Sequence, residues 1–301
     1  MEQLTAAQRY YYKRKAKEAG IPVEQYLSTK GTSVLNVKPI PSLVEFDKVI
    51  RLGSLNINED MLKVNRTGLL IDEMISYERG IPVATNIMVS GDPGVGKTTV
   101  LLHTLSYLQN KNPNLKCLFI SAEMGKKQMY AYTKRFPIMQ SVETIFMTDY
   151  LEYNSKDVIE QLLARGYDYV LMDSMVEVLE AVKEDNSWST ATAEKWLLET
   201  CSKNNEGNNT EGKYTTFFLI QQVTKAGIFV GSNKVKHMSD AHMELKRQSE
   251  RDGGGTYIMF TKNRNGNSGL MYSYQLTGTE IYYGTLSEDH SELEFELTDN
   301  T

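Results

Sequence analysis

The chain has 301 residues, 41% apolar and 24% charged, with a net charge of −5, which suits one large α/β core with small appendages. No run approaches the roughly 18 apolar residues of a membrane span, and Met1-Glu2-Gln3-Leu4 lacks the layout of a secretion signal, so no membrane partner is expected and residence in the cytoplasm is. Cys117 and Cys201 are far apart and in no C-x-x-C pair, which excludes a zinc cluster or a disulfide framework, and the negative charge excludes nucleic-acid binding by bulk basicity.

Residues 1–20 read as a helix, with a capping-box pair at Thr5 and Gln8 and a stop at Gly20 before Ile21-Pro22. It sets Tyr10, Tyr11 and Tyr12 beside Lys13, Arg14, Lys15 and Lys17, a composition for stacking on single-stranded bases or for docking on a neighbouring subunit, of which docking is preferred. Pro39-Ile40-Pro41 marks a linker, so residues 1–60 read as an arm and linker, 61–285 as the core and 286–301 as a tail. Seven carboxylates and no Lys or Arg follow Arg264, leaving a mildly basic body and an acidic end.

Within the core, strands predicted at 85–90, 116–121, 144–147, 169–172 and 216–221 alternate with helices at 97–110, 126–135, 156–165 and near 190–203. The alternation predicts an α/β fold with a mostly parallel central sheet and helices on both faces. Three further β-prone runs, 256–262, 270–275 and 281–283, have no helices between them and are expected as antiparallel strands at one edge. Polar, Gly-rich stretches at 203–212 and 249–255 are expected to be mobile loops.

The most informative stretch is Gly91-Asp92-Pro93-Gly94-Val95-Gly96-Lys97-Thr98-Thr99, which fits the phosphate-loop pattern G-x-x-x-x-G-K-S/T between an apolar β-prone run and a helix-forming run. Glycines let successive amides turn inward, and the helix beginning at Lys97 adds its positive end to the same cavity. Lys97 is expected on the β- and γ-phosphates of ATP and the Thr98 hydroxyl in the shell of Mg²⁺. Ligands of open parallel sheets bind at the carboxyl ends of the strands, where this chain delivers Glu123, Asp173 and Gln222. Asp173, after four apolar β-formers and about 75 residues beyond the phosphate loop, is expected to order the Mg²⁺ shell. Glu123 suits a general base for the attacking water or a carboxylate at a helix N-terminus; the first role is preferred because its strand is expected to adjoin the phosphate loop. His103 reads as a packed or surface residue rather than a ligand.

The segment from Lys225 to Asp240 contains Lys225, Lys234, Lys236 and His237 with no acid before Asp240, and Gly227 and Gly231 give it freedom. It reads as a loop that neutralises DNA phosphates or as a solvated basic loop. Lys183 and Trp188, expected in a loop after Asp173, are candidates for a second contact, although Glu177, Glu180, Glu184 and Asp185 oppose it.

Over residues 64–278 the chain resembles the RecA-type ATPase core of the RadA/Sms proteins. The resemblance lies in Arg66-Thr67-Gly68 and its acidic turn, in Gly91 to Leu102, in Asp173-Ser174, in Val223-Thr224-Lys225-Ala226-Gly227 with His237 and Asp240, and in Lys262-Asn263-Arg264-Asn265-Gly266, where Asn265 replaces a Phe. Ser121-Ala122-Glu123-Met124 and the run from Lys262 to Gly269 are also similar to DnaB-type replicative helicases. The 301 residues contain neither the four-cysteine zinc finger nor the Lon-protease-like domain usual in RadA proteins, as in a compact viral-type member. The resemblance implies an ATP-driven ring motor, expected as a hexamer, that acts on single-stranded DNA in recombination, repair or replication. Lys262 and Arg264 would reach the ATP of a neighbouring subunit, and Gln222 would sense the γ-phosphate. Read without it, Lys262 and Arg264 are exposed charges on an edge strand. The alternatives are a DnaB-like helicase, a RecA-like strand-exchange recombinase, or an assembly scaffold that binds nucleotide and no DNA.

Overall fold

The computed structural model describes residues 6–29, 49–222, 234–249 and 254–285. They fall in two units, residues 1–56 and 57–301. Lys225, the Pro39–Pro41 linker, Thr5 of the capping box and the acidic 286–301 segment lie outside the described residues. In the first unit α1 (Ala6–Glu18) is the expected helix, carrying a Glu18 carboxylate that accepts from Lys15 at 2.6 Å, and α2 (Val23–Thr29) follows it. Among the described residues no helix is long and apolar enough to cross a membrane.

The second unit is built on a nine-stranded sheet. Its strands are β3 (Asn86–Gly91), β4 (Cys117–Ser121), β5 (Glu143–Phe146), β6 (Tyr169–Asp173), β7 (Thr216–Ile220), β8 (Ala241–Arg247), β9 (Thr256–Asn263), β10 (Met271–Leu276) and β11 (Ile281–Thr285). A two-stranded ribbon, β1 (Val64–Asn65) with β2 (Ile81–Pro82), and a short helix, α3 (Ile71–Ile75), precede it. The order is β11-β10-β9-β8-β3-β7-β6-β4-β5; β8 through β5 run parallel, and β9, β10 and β11 are antiparallel. This is the α/β architecture the alternation predicts, with the antiparallel strands at one edge.

Strand alternation divides the core between two faces. Ile87, Val89, Phe119, Leu171 and Ile220 pack with Val100, Leu101 and Leu105 of α4 (Lys97–Lys111). Met88, Leu118, Ile120, Val170, Met172 and Leu219 face the other way. There they meet Ile159 of α6 (Ser155–Leu163), Val178 of α7 (Met175–Asn186) and Leu197 of α8 (Thr190–Asn205). The fully buried Ile and Leu side chains each contribute about 1.5–3 kcal/mol, which makes both faces, not one, essential to the sheet.

Four expectations are corrected. Lys183 sits on α7, not in a loop: the Ser174 side chain caps the helix by accepting from Glu177 N–H, and Met175, Val178, Leu179 and Val182 form its buried stripe. Central strand β8 was not foreseen, because Ala241-His242-Met243-Glu244-Leu245-Lys246-Arg247 is too polar to read as one. His242 is fully buried, yet its ring nitrogens meet Ser90 Oγ at 2.8 Å and Thr261 Oγ1 at 2.7 Å, so the polar face is satisfied by side chains of β3 and β9. The stretch expected to be mobile at 203–212 continues as α8 to Asn205 and then forms a bonded loop, with Asn209 linked through both side-chain atoms to Lys213 and Thr210 N–H donating to Ala164. Finally, β4 does not adjoin the phosphate loop; β7 and β6 lie between it and β3.

Candidate nucleotide site

The phosphate loop connects β3 to α4 and lines a cavity of about 530 Å³. Gly91 and Gly96 are required there for steric reasons. A Cβ on Gly91 would lie 1.9 Å from the Leu245 carbonyl oxygen, and one on Gly96, whose φ is +98°, 2.2 Å from a Leu276 methyl. Lys97 folds back over the loop, its Nζ donating to the carbonyls of Gly91 at 2.9 Å and Asp92 at 3.0 Å. Burial lowers the Lys97 pKa, against the opposing attraction of Asp173, Glu123 and Asp92.

Thr98 donates from Oγ1 to Asp173 Oδ2 at 2.5 Å, and Asp173 is 3% exposed at the end of β6. Burial pushes the Asp173 carboxyl up to about 6, a rise reinforced by the Glu123 charge and opposed by the Thr98 hydrogen bond and Lys97. The Asp173–Ser174 peptide is cis. A hydroxyl and a carboxylate converging beside a phosphate loop are the hard oxygen donors that suit Mg²⁺, which keeps waters and phosphate oxygens as its other ligands. The described residues contain no cluster of three or more His, Cys, Asp or Glu that could hold a metal.

Glu123 lines the same cavity although β4 is three strands from β3, because the chain folds back over β6: the N–H groups of Ala122 and Glu123 both donate to the Asp173 carbonyl, at 2.7 and 3.2 Å. Gln222, two residues past β7, donates from Nε2 to Glu123 Oε2 at 3.3 Å. Lys97, Thr98, Asp173, Glu123 and Gln222 therefore meet in one cavity, as do Gly91, Pro93, Gly94, Gly96 and Thr99. Asp92 instead turns its carboxylate to the Arg247 N–H at 3.0 Å, and the Val95 side chain is buried in the core.

Lys262 and Arg264 are elsewhere. β9 runs against β8, pairing Lys262 with His242 while Leu245 pairs with Gly91, so both cations lie at the amino-terminal edge of the parallel strands, roughly 10–15 Å along the sheet from their own phosphate loop. There Lys262 Nζ donates to the carbonyls of His237 at 2.8 Å and Ser239 at 2.5 Å, and Arg264 pairs with Asp240 at 3.1 Å. Lys234 and Lys236 lie in a short helix, α9 (Lys234–Met238), just before this contact. His103, expected as either a packed or a surface residue, is packed, its ring 4.5 Å from that of Tyr107.

Sequence reasoning missed several wall residues. Tyr132, Arg135 and Phe136, at the end of α5 (Lys126–Arg135), form one side of the cavity, with the guanidinium 5.0 Å over the Tyr132 ring and 5.6 Å over that of Phe136. Leu276 at the end of β10 and Thr277 of the β10–β11 turn also line it. The i, i+3 spacing of Tyr132 and Arg135 is the one local signal that places them together.

No protein-family model matches the chain. It is 24% identical over 194 residues to the DNA repair protein RadA of Aquifex aeolicus, 26% over 200 residues to that of Listeria monocytogenes and 24% over 216 residues to that of Streptococcus pneumoniae. These matches cover 64%, 65% and 69% of this chain but 40%, 40% and 46% of the relatives, so the chain spans less than half the length of the curated relatives it matches. A KaiC-like protein from Pyrococcus horikoshii shares the fold at a TM-score of 0.52 and 15% identity, over 73% of this chain and 98% of that one. With the phosphate loop, the Thr98–Asp173 pair and the mostly parallel sheet already in place, these likenesses support a RecA-like P-loop ATPase fold that is similar in sequence to RadA.

Proposed function

We propose that this chain is an ATP hydrolase that works as a ring motor on single-stranded DNA, assembling as a hexamer and acting as a RadA-like branch-migration helicase. The observation that carries the reading is a separation within one subunit. Phosphate-binding, metal-binding and water-activating groups meet in one cavity, while Lys262 and Arg264 stand on the opposite edge of the sheet. Cations so placed have no route to their own nucleotide and suit that of a neighbour.

In this reading the amides of the phosphate loop and Lys97 hold the triphosphate, and Lys97 exchanges the Gly91 and Asp92 carbonyls for phosphate oxygens. Thr98 and Asp173 hold Mg²⁺, which when bound supplies charge neutralisation at the phosphates. Glu123 takes the proton of the attacking water, and Gln222, already bonded to Glu123, reports the γ-phosphate to the segment that begins at residue 223. The Tyr132, Arg135 and Phe136 wall suits the flat face of the base. Lys262 and Arg264 stabilise charge in trans, and leaving Asp240 would release the end of the Lys225–Asp240 segment, where Lys225, Lys234 and Lys236 are placed on DNA phosphates. The 1–60 arm docks on the neighbouring subunit.

The deciding experiment is ATP turnover with and without single-stranded DNA, in the parent chain and in Lys225→Glu with Lys234→Glu. Stimulation by DNA that the charge reversal abolishes while basal turnover persists is the expected result; indifference to DNA would end the motor reading. It would favour a nucleotide-controlled assembly scaffold without DNA, a reading that the sequence pI of about 5.6 suits.

A further inference from the structure

The phosphate loop is gripped from one side by strands that carry none of its motif. From β8, the Leu245 carbonyl accepts from Asp92 N–H at 3.2 Å and the Arg247 guanidinium donates to the Gly94 carbonyl at 3.3 Å. From β10, the Tyr274 hydroxyl donates to the Val95 carbonyl at 2.7 Å, and Leu276 closes on Gly96. Tyr274 is 2% exposed and stands outside the cavity, whereas Gly96 lines it.

The contact falls at a mechanically sensitive place. Val95 C=O and Gly96 N–H belong to one planar trans peptide and point in opposite directions, so fixing the carbonyl fixes the amide. Gly96 (φ +98°) forms one end of that peptide, and its backbone freedom would let the peptide turn over were the Val95 carbonyl not held. We propose that Tyr274 is a positioning residue of the triphosphate site: its hydroxyl, drawing the Val95 carbonyl toward the core, keeps the Gly96 amide aimed into the cavity before any nucleotide arrives. The inference rests on the nucleotide-hydrolysis reading above. Burial raises the Tyr274 pKa far above its ordinary value, so the hydroxyl remains a donor over the whole working pH range.

The test is a titration of the full chain with a fluorescent non-hydrolysable ATP analogue, together with ATP turnover. Tyr274→Phe removes one oxygen and keeps the ring. The expected result is a dissociation constant and a KM for ATP raised about tenfold, with kcat within about twofold of the parent. Leu276→Ala is expected to move both in the same direction by a smaller factor. Tyr283→Phe is the control: Tyr283 is 8% exposed in the next strand, and its hydroxyl lies by Thr104 of α4 rather than by the phosphate loop, so its loss should leave nucleotide affinity unchanged. Parent-like affinity in Tyr274→Phe, or an equal loss in Tyr283→Phe, would overturn the assignment. Lys97→Ala separates the two levels: if it too binds the analogue normally, the nucleotide reading fails, whereas loss in Lys97→Ala with none in Tyr274→Phe defeats the positioning role alone.

Discussion

The parallel and antiparallel regions of the sheet serve the site in different ways. The parallel strands β3, β7, β6 and β4 end on one edge, and from those ends come the phosphate loop, Gln222, Asp173 and Glu123. Antiparallel β9 and β10 deliver side chains to both edges: Tyr274 and Leu276 of β10 brace the subunit's own loop, while β9 carries Lys262, and Arg264 just beyond it, to the other edge. A parallel sheet gathers polar groups in one place, and its antiparallel extension adds support there and sets Lys262 and Arg264 at the opposite end of the strands.

Breaking the parallel half should have the largest effect. Lys97→Ala is expected to abolish nucleotide binding and lower turnover by more than about 10³-fold, measured by analogue titration and phosphate release. Breaking the antiparallel half at its far edge should separate binding from chemistry. Lys262→Ala with Arg264→Ala is expected to keep analogue affinity within about twofold and reduce turnover about 10³-fold. Retained turnover in that pair would reject the trans role, as would parent turnover that does not change on dilution. Glu123→Gln should cost about 10²-fold in kcat with binding intact, measured by single-turnover hydrolysis beside analogue titration.

A smaller effect sharpens the energetics of the parallel half. His103 on α4 is 6% exposed, and burial lowers its pKa from 6.5 to about 4, against a weak opposing pull from Glu280. The unfolded chain takes up a proton near pH 6.5 that the native state refuses until about pH 4, so stability contributed by neutral His103 is complete above 6.5 and is lost as pH falls through that window. The loss reaches about 3 kcal/mol. His103→Phe should flatten this part of the acid denaturation curve without altering turnover at pH 7, measured by urea midpoints at stepped pH.

Much of the site was legible because phosphate binding is local chemistry. Gly91 to Thr99 carries its own geometry, and Asp173 follows an apolar run of strand length, so the positions of both in one cavity could be read from spacing. The preference for Glu123 rests on a strand neighbourhood the fold does not have: β4 lies three strands from β3, and the residue reaches the cavity where the Ala122 and Glu123 N–H groups donate to the Asp173 carbonyl at the end of β6. β8 was illegible because its buried His242 owes its place to Ser90 and Thr261, partners 152 and 19 residues distant.

What the sequence determined by itself is therefore whatever a few adjacent residues can specify: the turn of the phosphate loop, strand and helix periodicity, and the carboxylate at the end of β6. Tertiary structure alone decided the strand order, the brace of Tyr274 on Val95 and the placement of Lys262 and Arg264 on the edge opposite their own nucleotide cavity. The reason is physical: these features depend on which strands pair and in which direction, and pairing is set by burial and hydrogen bonding summed over the whole sheet, not by any one stretch of chain.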